Sequence, residues 1–430
     1  MLETMPNAAS AKPHVVVLGA GFAGMAFCRS LPAGVARITV IDRQNHHLFQ
    51  PLLYQVATAG IAAPDIAQPI RGILSDKPDL VVLMAEVTGI DLAARRVTHE
   101  RGELTYDYLV LAVGGGTSYF GHPEWEEHAP GLKTLDDALR IRRRVLCAYE
   151  QAETEADPVR KAELMTTVIV GGGPTGVELA GALAELSRTV LRKDFDHIDP
   201  TTARILLIDS GDRVLKAFPP ELSERATDQL IGLGVEVRTG IRVQDIRAGE
   251  VVLPDGVLKV GTIIWAAGVT ASPLARTLGL ETDRGGRLSV GPDLSLPSRP
   301  EVFAVGDVAA VTDRDGVEVP GVAQAALQMG QHVARIIASE CAVRGEPGSA
   351  ARPSFAYRDK GSMATIGRSA AVARIGSLQF SGWPAWVAWL GIHLLFLVGF
   401  RSKVSVLLSW MYSYFTYKRG ARIITGGPSG

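Results

Sequence analysis

The 430-residue sequence predicts an α/β protein made of two similar parallel-sheet units, the second inserted in the first, followed by a C-terminal helical segment. Two glycine-rich turns lie 152 residues apart, and each follows an apolar run and opens a helix-compatible stretch. Each turn leads to a second apolar run that ends in an aspartate. A chain of this length holds two or three domains of roughly 150 residues, which is enough for two similar units and a C-terminal segment.

The first glycine turn follows the apolar run His14–Leu18. It has G-x-G-x-x-G spacing, with glycines at Gly19, Gly21 and Gly24. In order, these glycines allow a tight turn, close approach of a pyrophosphate, and close packing of the helix on the strand. The next strand ends at Asp42, 18 residues after Gly24, where a carboxylate is expected to bind ribose hydroxyls. This pattern predicts a Rossmann-like dinucleotide-binding site.

The second glycine turn repeats the pattern with Gly171, Gly173 and Gly176. Its acid is Asp209, 33 residues after Gly176, at the end of another apolar run. An acid there favours NAD over NADP because it would repel a 2′-phosphate. If either aspartate is considered alone, the alternative to a ribose-binding role is that it is simply a solvated residue at the end of a strand. Two such sites in one chain imply electron transfer between two nucleotides, usually FAD and NAD(P)H.

Later strands complete each unit. Runs ending at Gly114 and Gly268 each lie roughly 90 residues after their glycine turn, and the run from Glu301 ends in Gly306-Asp307. This last strand returns to the first unit, so the second unit is an insertion. The predicted domains are 13–125 with 296–345 for FAD, 126–295 for NADH, 346–382 for C-terminal strands near the acceptor site, and 383–430 for helices that anchor the protein to a membrane.

Charge and cysteine content exclude several classes of protein. The net charge is −1, which gives no overall attraction for nucleic acid. Residues 383–430 carry five basic and no acidic side chains, together with four of the six tryptophans, so the tail is basic and aromatic. The three cysteines, Cys28, Cys147 and Cys341, are far apart, which argues against a disulfide framework or a metal site and favours a reducing compartment. The N-terminal residues show no export or organelle signal.

From about His14 to Ile424 the chain resembles the two-dinucleotide-binding flavoprotein oxidoreductases, and among them the type II NADH:quinone oxidoreductases. The resemblance rests on both glycine turns, the run Asn45–Thr58, Gly306-Asp307 and the A-Q-x-A-x-Q pattern at Ala323–Gln328. It implies non-covalently bound FAD, NADH as substrate and a membrane quinone as acceptor. Relatives that transfer electrons through a disulfide need two cysteines close together, which this sequence lacks. Electrons are therefore expected to pass from the flavin directly to a bound acceptor.

Four residues are predicted to carry the chemistry. The resemblance places Glu178 beside the nicotinamide and flavin, where it could shuttle protons, although a first-turn glutamate can simply complement the helix dipole. Gln324 and Gln328 lie four apart on a helix, so their amides share a face and could bind a quinone carbonyl rather than form a surface stripe. Lys360 resembles a family lysine near that pocket, with a solvated turn lysine as the alternative. The predicted cofactor-binding residues are Gly19, Gly21, Phe22, Ala23, Gly24, Asp42, Gln50, Gly306, Asp307 and Ala323 for FAD, and Gly171, Gly173, Pro174, Thr175, Gly176, Asp209 and Gly268 for NADH.

The tail contains two apolar runs, Trp383–Phe400 and Val404–Tyr417. In the second run, serines and a threonine form a small polar stripe opposite a larger apolar face. The first run carries an aromatic face that includes Trp386, Trp389 and His393. Helices of this kind, flanked by Arg and Lys, suit the headgroup region of a bilayer. A single membrane span at Trp383–Phe400 and an apolar homodimer interface are the alternatives.

The predicted function is single-subunit, non-proton-pumping transfer of electrons from NADH through FAD to a membrane quinone. The predicted location is the cytoplasmic face of a bacterial inner membrane. One alternative is a flavoprotein reductase of a soluble carrier such as ferredoxin, which leaves the aromatic tail unexplained. The other alternative is a redox-signalling protein that binds FAD and NADH. The Gln324/Gln328 pair, which is predicted to bind a quinone, argues against it.

Overall fold

The computed structural model describes residues 12–343, 346–348 and 351–424. Within them the α-helices are α1 (Phe22–Ser30), α2 (Leu53–Ala57), α3 (Ile70–Ile73), α4 (Trp125–His128), α5 (Leu135–Thr154), α6 (Pro158–Leu164), α7 (Pro174–Glu185), α8 (Pro220–Gly232), α9 (Pro273–Arg276), α10 (Ala323–Val343), α11 (Trp383–Phe396) and α12 (Phe400–Thr416). The strands are β1 (His14–Leu18), β2 (Arg37–Asp42), β3 (His46–Leu48), β4 (Ala67–Pro69), β5 (Leu80–Met84), β6 (Val87–Asp91), β7 (Arg96–His99), β8 (Gly102–Thr105), β9 (Tyr108–Leu111), β10 (Gly115–Thr117), β11 (Thr166–Val170), β12 (Arg204–Ile208), β13 (Val235–Arg238), β14 (Asp245–Arg247), β15 (Glu250–Leu253), β16 (Gly256–Lys259), β17 (Thr262–Trp265), β18 (Val269–Ala271), β19 (Leu288–Ser289), β20 (Ser295–Leu296), β21 (Arg299–Ala304), β22 (Ala309–Ala310), β23 (Ser362–Gly367), β24 (Ala370–Ile375) and β25 (Leu378–Ser381).

The described chain forms two compact units. Unit 1 takes the residues up to His47 together with Gln68–Gly116 and Val269–Asp359, and unit 2 takes Leu48–Ala67, Thr117–Gly268 and the residues from Lys360 onward. Each unit contains a parallel sheet with helices packed on it. The predicted α/β class is therefore confirmed.

Unit 1 is built on a six-stranded sheet in the order β20-β21-β9-β1-β2-β5. β1, β2, β5, β9 and β21 are parallel, and β1 lies between β2 and β9. The direction of strand order therefore changes beside β1, where open parallel sheets bind their ligands. The β1 side chains from Val15 to Leu18 are fully buried because both faces of the sheet are covered. Helix α10 crosses α1 so closely that a Cβ at Gly330 would overlap the Ala23 carbonyl oxygen.

Unit 2 contains a four-stranded parallel sheet in the order β13-β12-β11-β17. Helix α5 begins at a reciprocal cap, in which Thr134 Oγ1 accepts from the Asp137 N–H and the Asp137 carboxylate accepts from the Thr134 N–H. A separate antiparallel sheet, β23-β24-β25, packs against α7, α8 and α11. A Cβ at Gly181 would overlap the Ile366 carbonyl oxygen, so glycine lets α7 lie directly on β23.

The two tail helices divide the predicted apolar runs differently. α11 ends at Phe396, and α12 begins at Phe400. Trp389 on α11 is fully buried, which makes its predicted place in the headgroup region wrong. The reason is that Trp389 packs against the rings of Tyr54, His393 and Trp410, and α11 itself lies on β24. Within the described residues, no helix combines the length and apolar character needed to cross a membrane.

The segment after α12 is held by a buried arginine. The Arg419 guanidinium donates to the Thr58 carbonyl oxygen at 3.0 Å and to the Glu185 carboxylate at 3.0 Å. Glu185 also accepts from the backbone N–H of Arg368, whose own guanidinium donates to two carbonyls at the C-terminal end of α12. The tail is therefore part of the folded unit, and its removal would leave Glu185 without this partner.

Candidate functional site

The first glycine turn connects β1 to α1 in unit 1. Gly19 has a φ of +95°, and a Cβ there would overlap the Ala112 carbonyl oxygen. A Cβ at Gly24 would overlap the Gly19 carbonyl oxygen. By contrast, a Cβ at Gly21 would meet no protein atom within 4 Å. Contacts within the protein therefore require glycine at Gly19 and Gly24. At Gly21 they do not, and the space beside it at the start of the helix is open.

The start of α1 also has the features of an anion-binding site. α1 begins without a side-chain cap. The first N–H groups of any helix have no carbonyl partner within that helix. The N-terminus of a helix also carries a partial positive charge that favours phosphate. Together with the open space at Gly21, this fits the pyrophosphate of a dinucleotide. FAD is compatible with the residues that unit 1 provides.

Asp42 helps to fix this turn. One of its carboxylate oxygens accepts from the Ala20 N–H at 2.7 Å, and the other accepts from the Gln44 N–H at 2.8 Å. His47 Nδ1 donates to the Ala20 carbonyl oxygen at 2.8 Å, so the Ala20 backbone is held at both its N–H and its carbonyl. Burial lowers the pKa of His47, which keeps the ring neutral. No role is predicted for His47 from the sequence, although it lies in the run Asn45–Thr58.

The remaining predicted FAD residues of unit 1 lie near this helix start or on α10. Phe22 packs edge-on against His47, with ring centroids 5.4 Å apart. A Cβ at Gly306, just after β21, would lie 3.4 Å from the buried Ala23 side chain. Gly306 and Asp307 also line a cavity of about 420 Å³. Ala323 is the first residue of α10.

Gln324 and Gln328 lie in the first two turns of α10 and are partly exposed. The Gln328 amide pairs reciprocally with the backbone of Arg358, donating to its carbonyl at 3.0 Å and accepting from its N–H at 3.0 Å. Gln324 Nε2 lies 3.5 Å from the Asp359 carboxylate. Both amides therefore hold the segment before Lys360, and a second Gln328 Nε2–H is left as a possible donor.

Unit 2 repeats the glycine arrangement at the atomic level. Gly171 has a φ of +117°, and a Cβ at Gly176 would overlap its carbonyl oxygen. A Cβ at Gly173 would meet nothing within 4 Å, which matches Gly21. α7 also begins without a side-chain cap, with Pro174 as its first residue and Thr175 as its second. This arrangement again leaves space and N–H donors for a pyrophosphate.

Asp209 plays the same part as Asp42. Its carboxylate accepts from the Gly172 N–H at 2.5 Å and from the Gly211 N–H at 2.6 Å. Both acids thus order their glycine turns from the carboxyl end of the neighbouring strand. Each oxygen still has a further lone pair to accept from a ribose hydroxyl. Gly268 follows β17 on the other side of β11, with a φ of +76°.

Glu178 lies in the second turn of α7, against β23 and α11. Loss of hydration raises its pKa to about 8, and a hydrogen bond from the Thr365 backbone opposes this shift. Tyr54 is buried nearby, and burial together with the Glu178 charge raises the pKa of its hydroxyl. The carboxyl group is therefore mostly protonated at neutral pH and able to donate.

A chain of polar contacts extends from this point. Gln55 Nε2 donates to the Tyr54 hydroxyl at 2.9 Å, and Trp410 Nε1 donates to Gln55 Oε1 at 2.8 Å. The His393 ring stacks on Trp389 with centroids 4.0 Å apart, and burial lowers its pKa to about 4. Tyr54 and Trp389, which lie beside Glu178, are thus packed among neutral side chains of α2, α11 and α12.

The other two predicted residues of unit 2 have partners outside this cluster. Lys360 Nζ lies 5.7 Å from the centre of the Phe396 ring. Gln50 Nε2 donates to the Lys133 carbonyl oxygen at 3.0 Å. Their predicted roles beside a quinone and a flavin stay predictions.

Comparison with known proteins agrees with this arrangement. Residues 13–330 match the family model described as pyridine nucleotide-disulphide oxidoreductase. The chain is 45% identical to the type II NADH:quinone oxidoreductase Ndh of Mycobacterium tuberculosis, covering 98% of this chain and 92% of that protein. It is 28% identical to the internal alternative NAD(P)H-ubiquinone oxidoreductase A1 of Arabidopsis thaliana, over 95% of this chain and 85% of that protein.

Solved structures show the same fold. The structure of NDH2 from Plasmodium falciparum in complex with NADH superposes with a TM-score of 0.86 at 19% identity, covering 96% of this chain and 100% of that one. The sulfide:quinone oxidoreductase of Aquifex aeolicus superposes with a TM-score of 0.71 at 19% identity, covering 94% and 96%. With the repeated glycine and aspartate arrangement in both units, these matches show that the chain belongs to the pyridine nucleotide-disulphide oxidoreductases and, within them, to the type II NADH:quinone oxidoreductases.

Proposed function

We propose that this chain is a single-subunit flavoenzyme that transfers electrons from NADH through FAD to a membrane quinone, without pumping protons. The observation that carries the proposal is the duplicated helix start, at Gly21 and Gly173, where a Cβ would meet no protein atom within 4 Å and the helix has no side-chain cap. Two such sites need two dinucleotides. The similarity to named NADH:quinone oxidoreductases over nearly the whole chain supports the choice of donor and acceptor.

Unit 1 is proposed to hold FAD. Gly19, Gly21, Phe22, Ala23 and Gly24 form the helix start that neutralises the pyrophosphate charge. Asp42 binds the adenosine ribose, and Gly306, Asp307 and Ala323 bind the remainder of the cofactor, with Gln50 predicted beside the ring. When bound, FAD accepts a hydride and returns the two electrons to a separate acceptor. Domain bounds of 13–125 with 296–345 for FAD and 126–295 for NADH remain part of this proposal.

Unit 2 is proposed to bind NADH. Gly171, Gly173, Pro174, Thr175 and Gly176 receive its pyrophosphate, and Asp209 accepts from the adenosine ribose. A 2′-phosphate would lie against the Asp209 carboxylate, so the site favours NADH over NADPH. Gly268 is proposed to lie at the nicotinamide end of this NADH site.

Glu178 is proposed to hold the proton that accompanies reduction of the acceptor, because its raised pKa keeps it protonated near neutral pH. Gln324 and Gln328 are proposed to donate amide hydrogen bonds to a quinone carbonyl without adding charge. Lys360 is proposed to stabilise negative charge on the reduced quinone. α11 and α12 carry only Arg401 and Lys403 as permanently charged side chains, which offers no series of acids for proton pumping.

The function is tested with purified protein and a panel of acceptors. We expect a yellow protein that reduces a short-chain quinone with NADH and prefers NADH over NADPH by at least about tenfold in kcat/KM. The Gln324→Leu/Gln328→Leu double variant should keep its flavin and its NADH-dependent flavin reduction while its KM for quinone rises. NADH-dependent reduction of ferredoxin without reduction of any quinone would contradict the proposal and favour the soluble-carrier alternative.

The tail is proposed to lie in a membrane surface on the cytoplasmic side. On α12 two of the small serines face the protein, whereas a row of large apolar residues faces outward. Ser402 is buried and Ser405 donates to the Asp65 carboxylate at 2.6 Å, whereas Leu408 and Phe415 are 58% and 74% exposed. An outward apolar helix face with Arg401 and Lys403 beside it suits anionic headgroups.

We expect the Leu408→Ser/Met411→Ser/Phe415→Ser variant to bind phosphatidylglycerol-containing vesicles roughly 100-fold more weakly, since three exposed apolar side chains no longer enter the lipid. Its Tm should be unchanged because none of the three is buried. The control is Ile231→Ser/Val257→Ser, which removes exposed apolar groups elsewhere in unit 2. Unchanged vesicle binding would refute the anchor. Conversion of a dimer to monomers with vesicle binding intact would identify the face as a homodimer interface.

A further inference from the structure

Phe120 has an unfavourable backbone conformation, and burial of its side chain does not offset the cost. Its φ is +52°, and it is followed by Gly121 at +98° in a tight turn closed by the His122 N–H and the Tyr119 carbonyl oxygen. Such turns favour Asn or Gly at the position that Phe120 occupies. The side chain is also 68% exposed. A bulky residue in the left-handed region with so little burial indicates a function outside the protein's own packing.

The ring lies at the carboxyl end of β17. A Cβ on Gly268 would approach Phe120 Cζ to 2.7 Å and the Ser118 carbonyl oxygen to 2.9 Å, so glycine there makes room for the ring. Trp265 Nε1 donates to that same Ser118 carbonyl at 2.9 Å, and its ring centroid lies 6.3 Å from that of Phe120. One side of the Phe120 ring is thus held against Gly268 and Trp265, and the other is open to solvent.

Strand order decides which part of a dinucleotide comes near this ring. In unit 2, β11 lies between β12 and β17 and is followed directly by the glycine turn. Asp209, the ribose acid, follows β12 on one side, and Gly268 follows β17 on the other. A dinucleotide that places its pyrophosphate at the turn and its adenosine ribose at Asp209 extends its nicotinamide toward β17. Phe120 therefore lies at the nicotinamide end.

The geometry points to Phe120 as an aromatic contact for the nicotinamide ring, which positions that ring before hydride transfer. This inference rests on the proposed binding of NADH by unit 2. The ring would pack against the nicotinamide with its open face, and Gly268 and Trp265 would keep it from turning away. Aromatic pairs of this kind change binding by roughly 3- to 10-fold.

The test uses the FAD-containing protein and two ligands that cannot reduce the flavin. NAD⁺ carries the nicotinamide ring, and ADP-ribose lacks it. We expect Phe120→Asn to raise the Kd for NAD⁺ by 3- to 10-fold in calorimetric titration while the Kd for ADP-ribose stays within twofold. Its Tm should be equal or higher because Asn tolerates positive φ. Phe120→Tyr keeps the ring and should keep both affinities.

The control variant is Ile231→Asn, which changes an exposed apolar residue in the last turn of α8. In a parallel unit the helix runs opposite to the strands, so this residue lies at the edge of the sheet remote from the ligand. An unchanged NAD⁺ Kd in Phe120→Asn would overturn the contact, and so would equal weakening of NAD⁺ and ADP-ribose. Wild-type protein that binds neither ligand would overturn the proposed function as well, which separates the two failures.

Discussion

Replacing Gly173 by alanine is expected to give a folded, yellow protein whose kcat/KM for NADH is roughly 100-fold lower. A Cβ at this position meets no protein atom within 4 Å, so the substitution costs the fold nothing. It enters the space at the start of α7 that the pyrophosphate needs. Losing one or two charge-assisted hydrogen bonds there, at about 1.5–3 kcal/mol each, accounts for the fall. The measurement is steady-state oxidation of NADH at saturating quinone, with Tm and flavin absorbance recorded alongside.

Two matched glycines separate this effect from misfolding. Gly21→Ala makes the same change at the first site and is expected to yield protein without bound FAD. Gly176→Ala places its Cβ on the Gly171 carbonyl oxygen, so it should lower the Tm as well as NADH binding. A Gly173→Ala protein with wild-type kcat/KM for NADH would show that the second glycine turn does not bind the nucleotide.

Glu178→Gln is expected to lower kcat for quinone reduction by roughly 100-fold, because an amide keeps the hydrogen bonding but has no proton to give. In the wild type, kcat should fall as pH rises through about 8, where the carboxyl group loses its proton. The variant should lack this fall. Glu221→Gln, on the exposed first turn of α8, is the control for changing a carboxylate. A break near pH 8 that persists in Glu178→Gln would assign it to another group.

The same group predicts a pH-dependent stability difference. The folded pKa of Glu178 is about 8, above its ordinary value of 4.5, so the folded protein holds a proton that the unfolded chain releases. The contribution of Glu178 is therefore fully present below pH 4.5 and is lost as pH rises to about 8, at up to roughly 1.4 kcal/mol per pH unit. Glu178→Gln does not lose stability in this way. The Tm of the variant should therefore rise relative to the Tm of the wild type as the pH is raised from 4.5 to about 8. Parallel Tm curves would contradict the shifted pKa.

Local spacing was enough to predict much of the fold. The turns at Gly19–Gly24 and Gly171–Gly176, each followed by an aspartate, predicted two parallel-sheet units, because a tight strand-to-helix turn needs glycine whatever surrounds it. Other features depend on partners distant in sequence. His47 holds the Ala20 carbonyl, and Phe120 lies against Gly268. No short-range pattern marks either contact.

The tail shows most clearly the difference between what local sequence predicts and what distant contacts determine. Periodicity in the sequence predicts that α12 has one small polar stripe and one large apolar stripe, because side chains three and four apart share a helix face. The tertiary structure then fixes their orientation: Ser402 is buried and Ser405 turns inward to Asp65, while Leu408 and Phe415 turn outward. The same holds for Trp389, which is a core residue because the rings of Tyr54, His393 and Trp410 pack against it. Periodicity separates the two faces of a helix, but the surface that the helix packs against determines which face is buried.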